Sequence, residues 1–256
     1  MFVGSDFTFD QISGEEMFGL KLIRTEFSLD QPFGLSRKPV TDRAKNRSRV
    51  YHYGWNNEVL SFSLKFFKES EWDYEQRVAI SKWLIQSKYC DFQSMDYPLV
   101  FKVVAVAQPV FRNLGNNIGY LEIEYESDSP FCYSPVAIAE YDLSDNTSGG
   151  TVLDLYNKSN VFSTYKPELE FEIISGDTVR LENLSNQGKV FELTGLEQGE
   201  KIYIGNETGR IISTASETRL SNLLNHVFFE MVYGLNRVLL KGNVRMEIRT
   251  QFPMMI

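Results

Sequence analysis

Glu122, Glu124 and Glu126 stand two residues apart, and the pattern recurs as Glu168, Glu170 and Glu172. Paired carboxylates are all that glycoside cleavage requires, and same-face strand residues two apart lie roughly 7 Å apart along the backbone. In both triplets the intervening residues are apolar or aromatic: Leu121, Ile123 and Tyr125 in the first, Leu169, Phe171 and Ile173 in the second. The same alternation describes an antiparallel sheet with one buried and one solvated face, or an acidic surface past which DNA moves without sticking. Other chemistries lack their parts. His52 and His226 are the only histidines and neither has ligand spacing, while Cys90 and Cys132 form no CxxC pair, so neither a metal nor another cofactor is expected. Cys90, in "KYCDF", reads as a thiol nucleophile or as a small half-buried apolar residue. No GxSxG elbow, GxxxxGK[ST] loop or GxGxxG turn is present, which leaves acyl transfer and nucleotide chemistry without a home.

The stretch "RKPVTDRAKNRSR" is unusual in charge. Arg37, Lys38, Arg43, Lys45, Arg47 and Arg49 against the single acid Asp42 give +5 in thirteen positions, in a chain whose formal net charge is −8. Such a run is either a solvated loop or a contact arm, because a head-to-tail ring needs two unlike, complementary patches on each subunit. Sugar binding needs an aromatic platform. Trp55, Trp72 and Trp83 all lie in the first half, leaving Tyr156, Tyr165, Tyr203 and Tyr233 as substitutes in the second.

The elements that must position these residues follow from periodicity. At 256 residues the chain suits two domains. With 43% hydrophobic and 23% charged residues it carries enough apolar material for sizeable cores. The acidic balance excludes generic nucleic-acid binding, and no motif for sequence-specific binding is present. The best apolar run, "PLVFKVVAVAQPVF", is broken by Lys102 and too short to span a bilayer. The amino terminus lacks a basic region and an apolar signal core, so synthesis and folding in a cytoplasm are expected.

Only "YEQRVAISKWLI" reads as a long helix. Ile80, Trp83 and Leu84 form one stripe, while Tyr74, Val78 and Ile85 form a second, so the helix should touch apolar partners on two sides, with Ser70 opening it in a capping-box manner. Strands are expected over Leu20–Phe27, over "VLSFSLKFF" with Leu60, Phe62, Leu64 and Phe66 inward, and over "PLVFKVVAVA" and "GYLEIEYES", the last two separated by a turn at Gly115–Asn117. Pro32 to Ser48 reads as a long polar connection. Pro130 and Pro135 in "SDSPFCYSP" interrupt any ladder and place a domain boundary there, giving domains 1–130 (net −3) and 131–256 (net −5). The second domain is strand after strand, with turns at "SGD", "QG", "GLEQG" and "GNETG", the mark of a β-sandwich or barrel. The fold class is mainly β.

Together, "FTFDQISGEEMFGL", "WNNEVLSFSLKFF", "RVAISKWL", "SPFCYSP" and "GLNRVLLKGNVRMEI", in this order and over essentially the whole chain, resemble the distal tail protein of long-tailed, non-contractile bacteriophages in its short form, without an inserted receptor-binding module. The resemblance implies an amino-terminal, tail-tube-like β-sandwich or barrel flanked by one helix, a carboxy-terminal galectin-like β-sandwich, and six copies closed into a ring. It implies that the 31–49 connection makes ring contacts and that the Glu122 strand precedes the interdomain bridge. It further implies a structural hub, not an enzyme, in the virion's tail tip. Its partners would be itself as a homohexamer, the tail tube protein, the tail-associated hub or lysin protein and receptor-binding proteins. The second domain departs from galactose-binding galectins in lacking their His, Asn-Pro-Arg and Trp pattern, so a docking platform is expected there. The rival reading is a carbohydrate-binding module for host attachment, and a third is a glycan hydrolase using Glu122 or Glu124.

Overall fold

The computed structural model describes residues 4–23, 37–44, 47–55, 59–95, 98–161, 164–215 and 219–255, with only the backbone described for 37–44 and 47–55. The chain is mainly β and divides into two compact units, Met1–Ser134 with Met254–Ile256, and Pro135–Pro253.

In the first unit, strands β1 (Gly4–Ser5), β2 (Phe7–Phe9) and β3 (Ile12–Ser13) lead into a short helix α1 (Gly14–Phe18), then β4 (Lys21–Ile23). A hairpin β5 (Arg37–Ala44) and β6 (Arg47–Trp55) follows, then β7 (Ser61–Phe67), helix α2 (Tyr74–Leu84), β8 (Cys90–Ser94), β9 (Phe101–Ala105), β10 (Val110–Gly115), β11 (Ile118–Ser127) and β12 (Cys132–Tyr133). The main sheet is antiparallel, ordered β1-β4-β7-β11-β9-β8-β2-β3, with β10 also on β11. The alternation in β7 and β11 places Leu64, Phe66, Leu121, Ile123 and Tyr125 in one core with Phe7, Phe9, Phe92 and Val103. At the tip of the β10–β11 hairpin, Asn116 and Asn117 have φ of 49° and 55°, left-handed conformations that Asn tolerates and that match the twist of the flanking strands.

Helix α2 closes this core. Ile80 and Leu84 are buried in it, and Trp83 packs on Phe7, Phe9 and Phe18. The Tyr125 hydroxyl donates to the Leu84 carbonyl at 3.1 Å, tying the helix's end to the centre of the sheet. The helix starts at Asp73, not Ser70: the Asp73 carboxylate accepts from the Gln76 amide at 2.7 Å. The reason is the buried Trp72, whose amide donates to the Asn117 carbonyl, which holds the chain extended until that point.

The polar connection expected over Pro32–Ser48 is in part a hairpin. Val40 pairs with Tyr51 and Thr41 with Val50, and these β-prone residues sustain the ladder despite the surrounding charge. Residues 24–36, including the end of the strand expected at Leu20–Phe27, lie outside the described residues. Periodicity also missed α1, β8 and β10, all of six residues or fewer.

The second unit contains β13 (Ala137–Leu143), β14 (Thr151–Asn157), β15 (Glu168–Asn183), β16 (Lys189–Thr194), β17 (Lys201–Gly205), β18 (Arg210–Ser213) and β19 (Gly234–Thr250), with β20 (Pro253–Met254) at the chain's end. "SGD" does not end a strand. Strand β15 runs through it, shifting register between Ser175 and Arg180. Opposite, Gly242 in β19 has φ of 120°, and a Cβ there would stand 2.8 Å from the Thr178 carbonyl oxygen. Either side of this irregularity the two long strands acquire different neighbours. Strands β13 and β17 flank the 168–173/244–249 half, while β14 and β16 flank the 178–183/238–241 half. In both halves the inward cross-strand pairs are apolar, among them Leu169–Ile248, Phe171–Met246 and Leu181–Leu240, all buried.

Candidate assembly interface

Glu122, Glu124 and Glu126 share the outward face of β11. Glu122 is opposite Lys65 on β7 and Val110 on β10. Its carboxylate accepts from Arg112 Nε at 3.1 Å and from the Ser63 hydroxyl at 3.3 Å, with Lys65 Nζ at 3.6 Å. The bond from Arg112 is the main cause holding its pKa below the ordinary carboxylate value, against a smaller upward push from burial. A general acid for glycoside cleavage needs the opposite shift. Glu124 is exposed opposite Ser63, and Glu126 is half-buried opposite Ser61. The face is therefore one carboxylate braced by Arg112, Lys65 and Ser63 and two that stand opposite serines.

The three residues of the second helical stripe remain at the surface: Tyr74 is 80% exposed, Val78 and Ile85 both 37%. Arg77, between them, stacks its guanidinium 4.4 Å from the Phe111 ring centroid and donates to the Trp72 carbonyl, pinning the helix's first turn to β10.

Of the basic stretch, Arg37, Lys38 and Arg43 stand on β5 and Arg47 and Arg49 on β6, while Lys45 lies outside the described residues. Among the described residues, strands β5 and β6 pair only with each other, forming a two-stranded sheet.

On the second unit, Glu168, Glu170 and Glu172 do share one face, but register distinguishes them. Glu172 meets Arg245, which also holds Asp142, at 3.3 and 3.6 Å, and Glu168 faces Arg249 at 3.9 Å. Glu170 stands opposite Glu247, which itself stands opposite Glu140, in one row across three strands. Residues of this row border an open concavity of about 460 Å³, together with Asp142, Lys201 and Arg245. Spacing along one strand could not find this row, because it is made across strands.

The aromatic platform is not assembled. Trp72 is core, Trp83 is packed against phenylalanines, and Trp55's side chain lies outside the described residues. Tyr165 packs on Phe252 and its hydroxyl accepts from the Gln251 amide at 2.8 Å. Tyr203 is half-buried beside Glu168 and Arg249, whereas Tyr156 and Tyr233 are exposed. Cys90 and Cys132 are buried free thiols whose pKa values burial raises, Cys132's to about 11, which suits packing and not nucleophilic attack. Among the described residues, no three His, Cys, Asp or Glu side chains are grouped to hold a metal ion, and no helix is long and apolar enough to cross a membrane.

The described residues thus form two β-rich units and a basic hairpin whose two strands pair with each other. Comparison gives the family. The phage tail protein N-terminal domain matches residues 2–129 and the phage tail C-terminal domain matches residues 131–250, so the chain belongs to the phage tail protein family. Its fold is that of a distal tail protein: it aligns with the crystal structure of the SPP1 Dit protein at a TM-score of 0.69 and 8% identity, over 98% of this chain and 99% of that one. It aligns with a chain of the phage P2 baseplate in its activated, Ca-bound conformation at a TM-score of 0.52 and 9% identity, covering 96% and 98%. In Bacillus subtilis strain 168, the SPbeta prophage-derived protein YomH is 21% identical over 252 residues, 96% of each chain.

Proposed function

We propose that this chain is the hub of a phage tail tip: a homohexameric ring around an open channel for DNA, joining the tail tube protein to the adhesion and cell-wall-penetrating apparatus. The observation that carries this is a fold match over nearly the full length to a protein described as a paradigm of the hub adsorption apparatus in phages infecting Gram-positive hosts. Its role is mechanical and electrostatic, not catalytic. Residues 1–130 form the ring and residues 131–256, a galectin-like sandwich, carry partners such as the tail-associated hub or lysin protein and receptor-binding proteins. Assembly takes place in the host cytoplasm.

Three features support the ring. The basic hairpin with Arg37, Lys38, Arg43, Lys45, Arg47 and Arg49 acts as the inter-subunit arm, and among the described residues its strands pair with no others. The stripe of Tyr74, Val78 and Ile85 gives helix α2 a second apolar side for a neighbour while Ile80, Trp83 and Leu84 hold the first. Glu122, Glu124 and Glu126 offer DNA an unattractive face, as like charges should.

Electron microscopy of assembled tail tips is the test. A six-fold ring of this chain around a lumen is expected, and isolated single copies would overturn the reading. Glycan arrays with the full chain address the carbohydrate-binding alternative, for which no saturable binding is expected.

A further inference from the structure

Strand β13 is an edge left open. Among the described residues it pairs on one side only, with β19. Among the described residues β14, β16 and β18 also have one sheet partner each, but β14 keeps Leu153, Leu155 and Asn157 buried, β16 keeps Phe191 and Leu193 buried and is bridged at Leu193 by Leu223, and β18 is four residues long. In β13, by contrast, Ala137, Ile138, Ala139 and Glu140 are all exposed, on both faces, although Ile248 directly opposite Ala139 is buried. Val136 before it is exposed as well. Native proteins blunt such edges with Lys, Pro, bulges or shortness. The seven residues of β13 include no Lys, Pro or bulge, only the acids Glu140 and Asp142, and its outer row of backbone amides and carbonyls is a template for a further strand.

Charge selects the strand. Cation and acid alternate on both sides of Glu140, in the Asp142–Arg245–Glu172 row and in the Arg249–Glu168 pair beyond Ile138. The Glu140–Glu247–Glu170 row has no cation opposite any of its members, and directly opposed like charges are destabilising. A strand added at β13 would lie about 4.8 Å away and place one residue directly opposite Glu140.

The molecule contains a strand of this description. Among the described residues strand β6 pairs on one side only, with β5; it has nine residues and arginines at alternate positions 47 and 49, whereas β5 carries Pro39, which cannot donate to a ladder, and a register shift beside it. We propose that β13 is the socket for the β5–β6 hairpin of a second copy of this chain, with β6 adding antiparallel and Arg49 opposite Glu140. In that register Arg47 faces Asp142, Tyr51 faces Ile138 and Val50 faces Ala139. The socket rests on the ring reading and adds, to the ring formed by residues 1–130, a landing point for the arm on the second unit of the neighbouring copy.

Cross-linking tests it on the full-length chain assembled into tail tips with its tail partners. Mild oxidation of the double variant E140C/R49C should give a ladder of copies on non-reducing gels, while E140C/S48C, whose second thiol falls on the opposite face, should not. The native thiols at Cys90 and Cys132 are buried and do not compete. Independently, Glu140→Arg should weaken ring assembly by up to about fivefold, the scale of one cross-strand charge pair, and adding Arg49→Glu to the same chain should restore it. Six-fold rings that give no ladder, cross-link instead to a different tail protein, or ignore Glu140→Arg would overturn the socket and leave the ring reading standing. Tail tips holding isolated copies would overturn both.

Discussion

Strands β11 and β15 carry the same written pattern, three glutamates alternating with apolar residues, yet the two units use it differently. In β11 the first carboxylate is gripped by Arg112, Lys65 and Ser63 from the two flanking strands, and the others face serines. In β15 the outer two carboxylates face arginines and the middle one faces another glutamate. Inward, the strands are equivalent, each presenting a line of buried apolar side chains. What a strand buries is set by its own alternation, but what its charges do is set by the neighbours that register brings across. Each prediction below pulls on one side of that contrast.

The largest effects should come from the shared inward side and be alike in the two units. Phe171→Ala and Ile123→Ala remove fully buried side chains and should cost about 3–5 and 2–5 kcal/mol respectively in urea unfolding of the full chain. A comparable loss should follow Arg219→Ala. Arg219 Nε and Nη2 bond the buried Glu200 carboxylate at 2.7 and 2.8 Å, and removing one partner of such a pair leaves an uncompensated buried charge, at about 3–5 kcal/mol. If all three variants unfolded within a few tenths of a kcal/mol of the parent, the inward faces would not be the cores assigned here.

These inward faces were legible in the sequence. Period-two alternation placed Leu64, Phe66, Ile123 and Phe171 correctly, and the spacing of Ile80, Trp83 and Leu84 found the one long helix. Three kinds of feature were not legible. Short elements such as α1 and β8 offer too few residues for a period to register. The β5–β6 hairpin was hidden by charge, since Val40, Thr41, Val50 and Tyr51 carry its ladder among six basic residues. The bend at Gly242 read as a turn only on the β15 side, where "SGD" stands, because a glycine within an otherwise regular run gives no local sign that the opposing strand is irregular. The Glu140–Glu247–Glu170 row joins residues up to 107 positions apart in sequence and needed the register to exist at all.

Acid should separate the two kinds of glutamate by pH. Burial alone would push Glu200 upward, but the bonds from Arg219, Ser213 and the Glu197 amide outweigh it and hold its pKa below the ordinary value. Arg112 does the same for Glu122. A carboxylate whose folded pKa lies below its unfolded pKa contributes stability that is present above the unfolded value, about 4.3, and is lost as pH falls through the folded one. The urea midpoint should therefore fall on going from pH 7 to pH 3. It should fall less in Glu122→Gln, which has already lost its share at pH 7. An equal fall in parent and variant would mean that Arg112 does not hold Glu122 in solution.

The smallest effect has the most informative sign. Replacing a glutamate by the near-isosteric, neutral glutamine removes charge and little else. For Glu122→Gln this removes attraction to Arg112 and Lys65, and the chain should lose about 0.2–1 kcal/mol at pH 7, the usual range for exposed pairs. For Glu247→Gln it removes repulsion from both Glu140 and Glu170, so the free chain should become more stable by a similar amount. Salt should shrink both differences, since charges at the surface are screened over roughly 8 Å at physiological ionic strength. The two variants moving in the same direction would mean that the outward rows are too solvated for register to matter. Opposite signs would establish that the second unit keeps a charge conflict on its outer face.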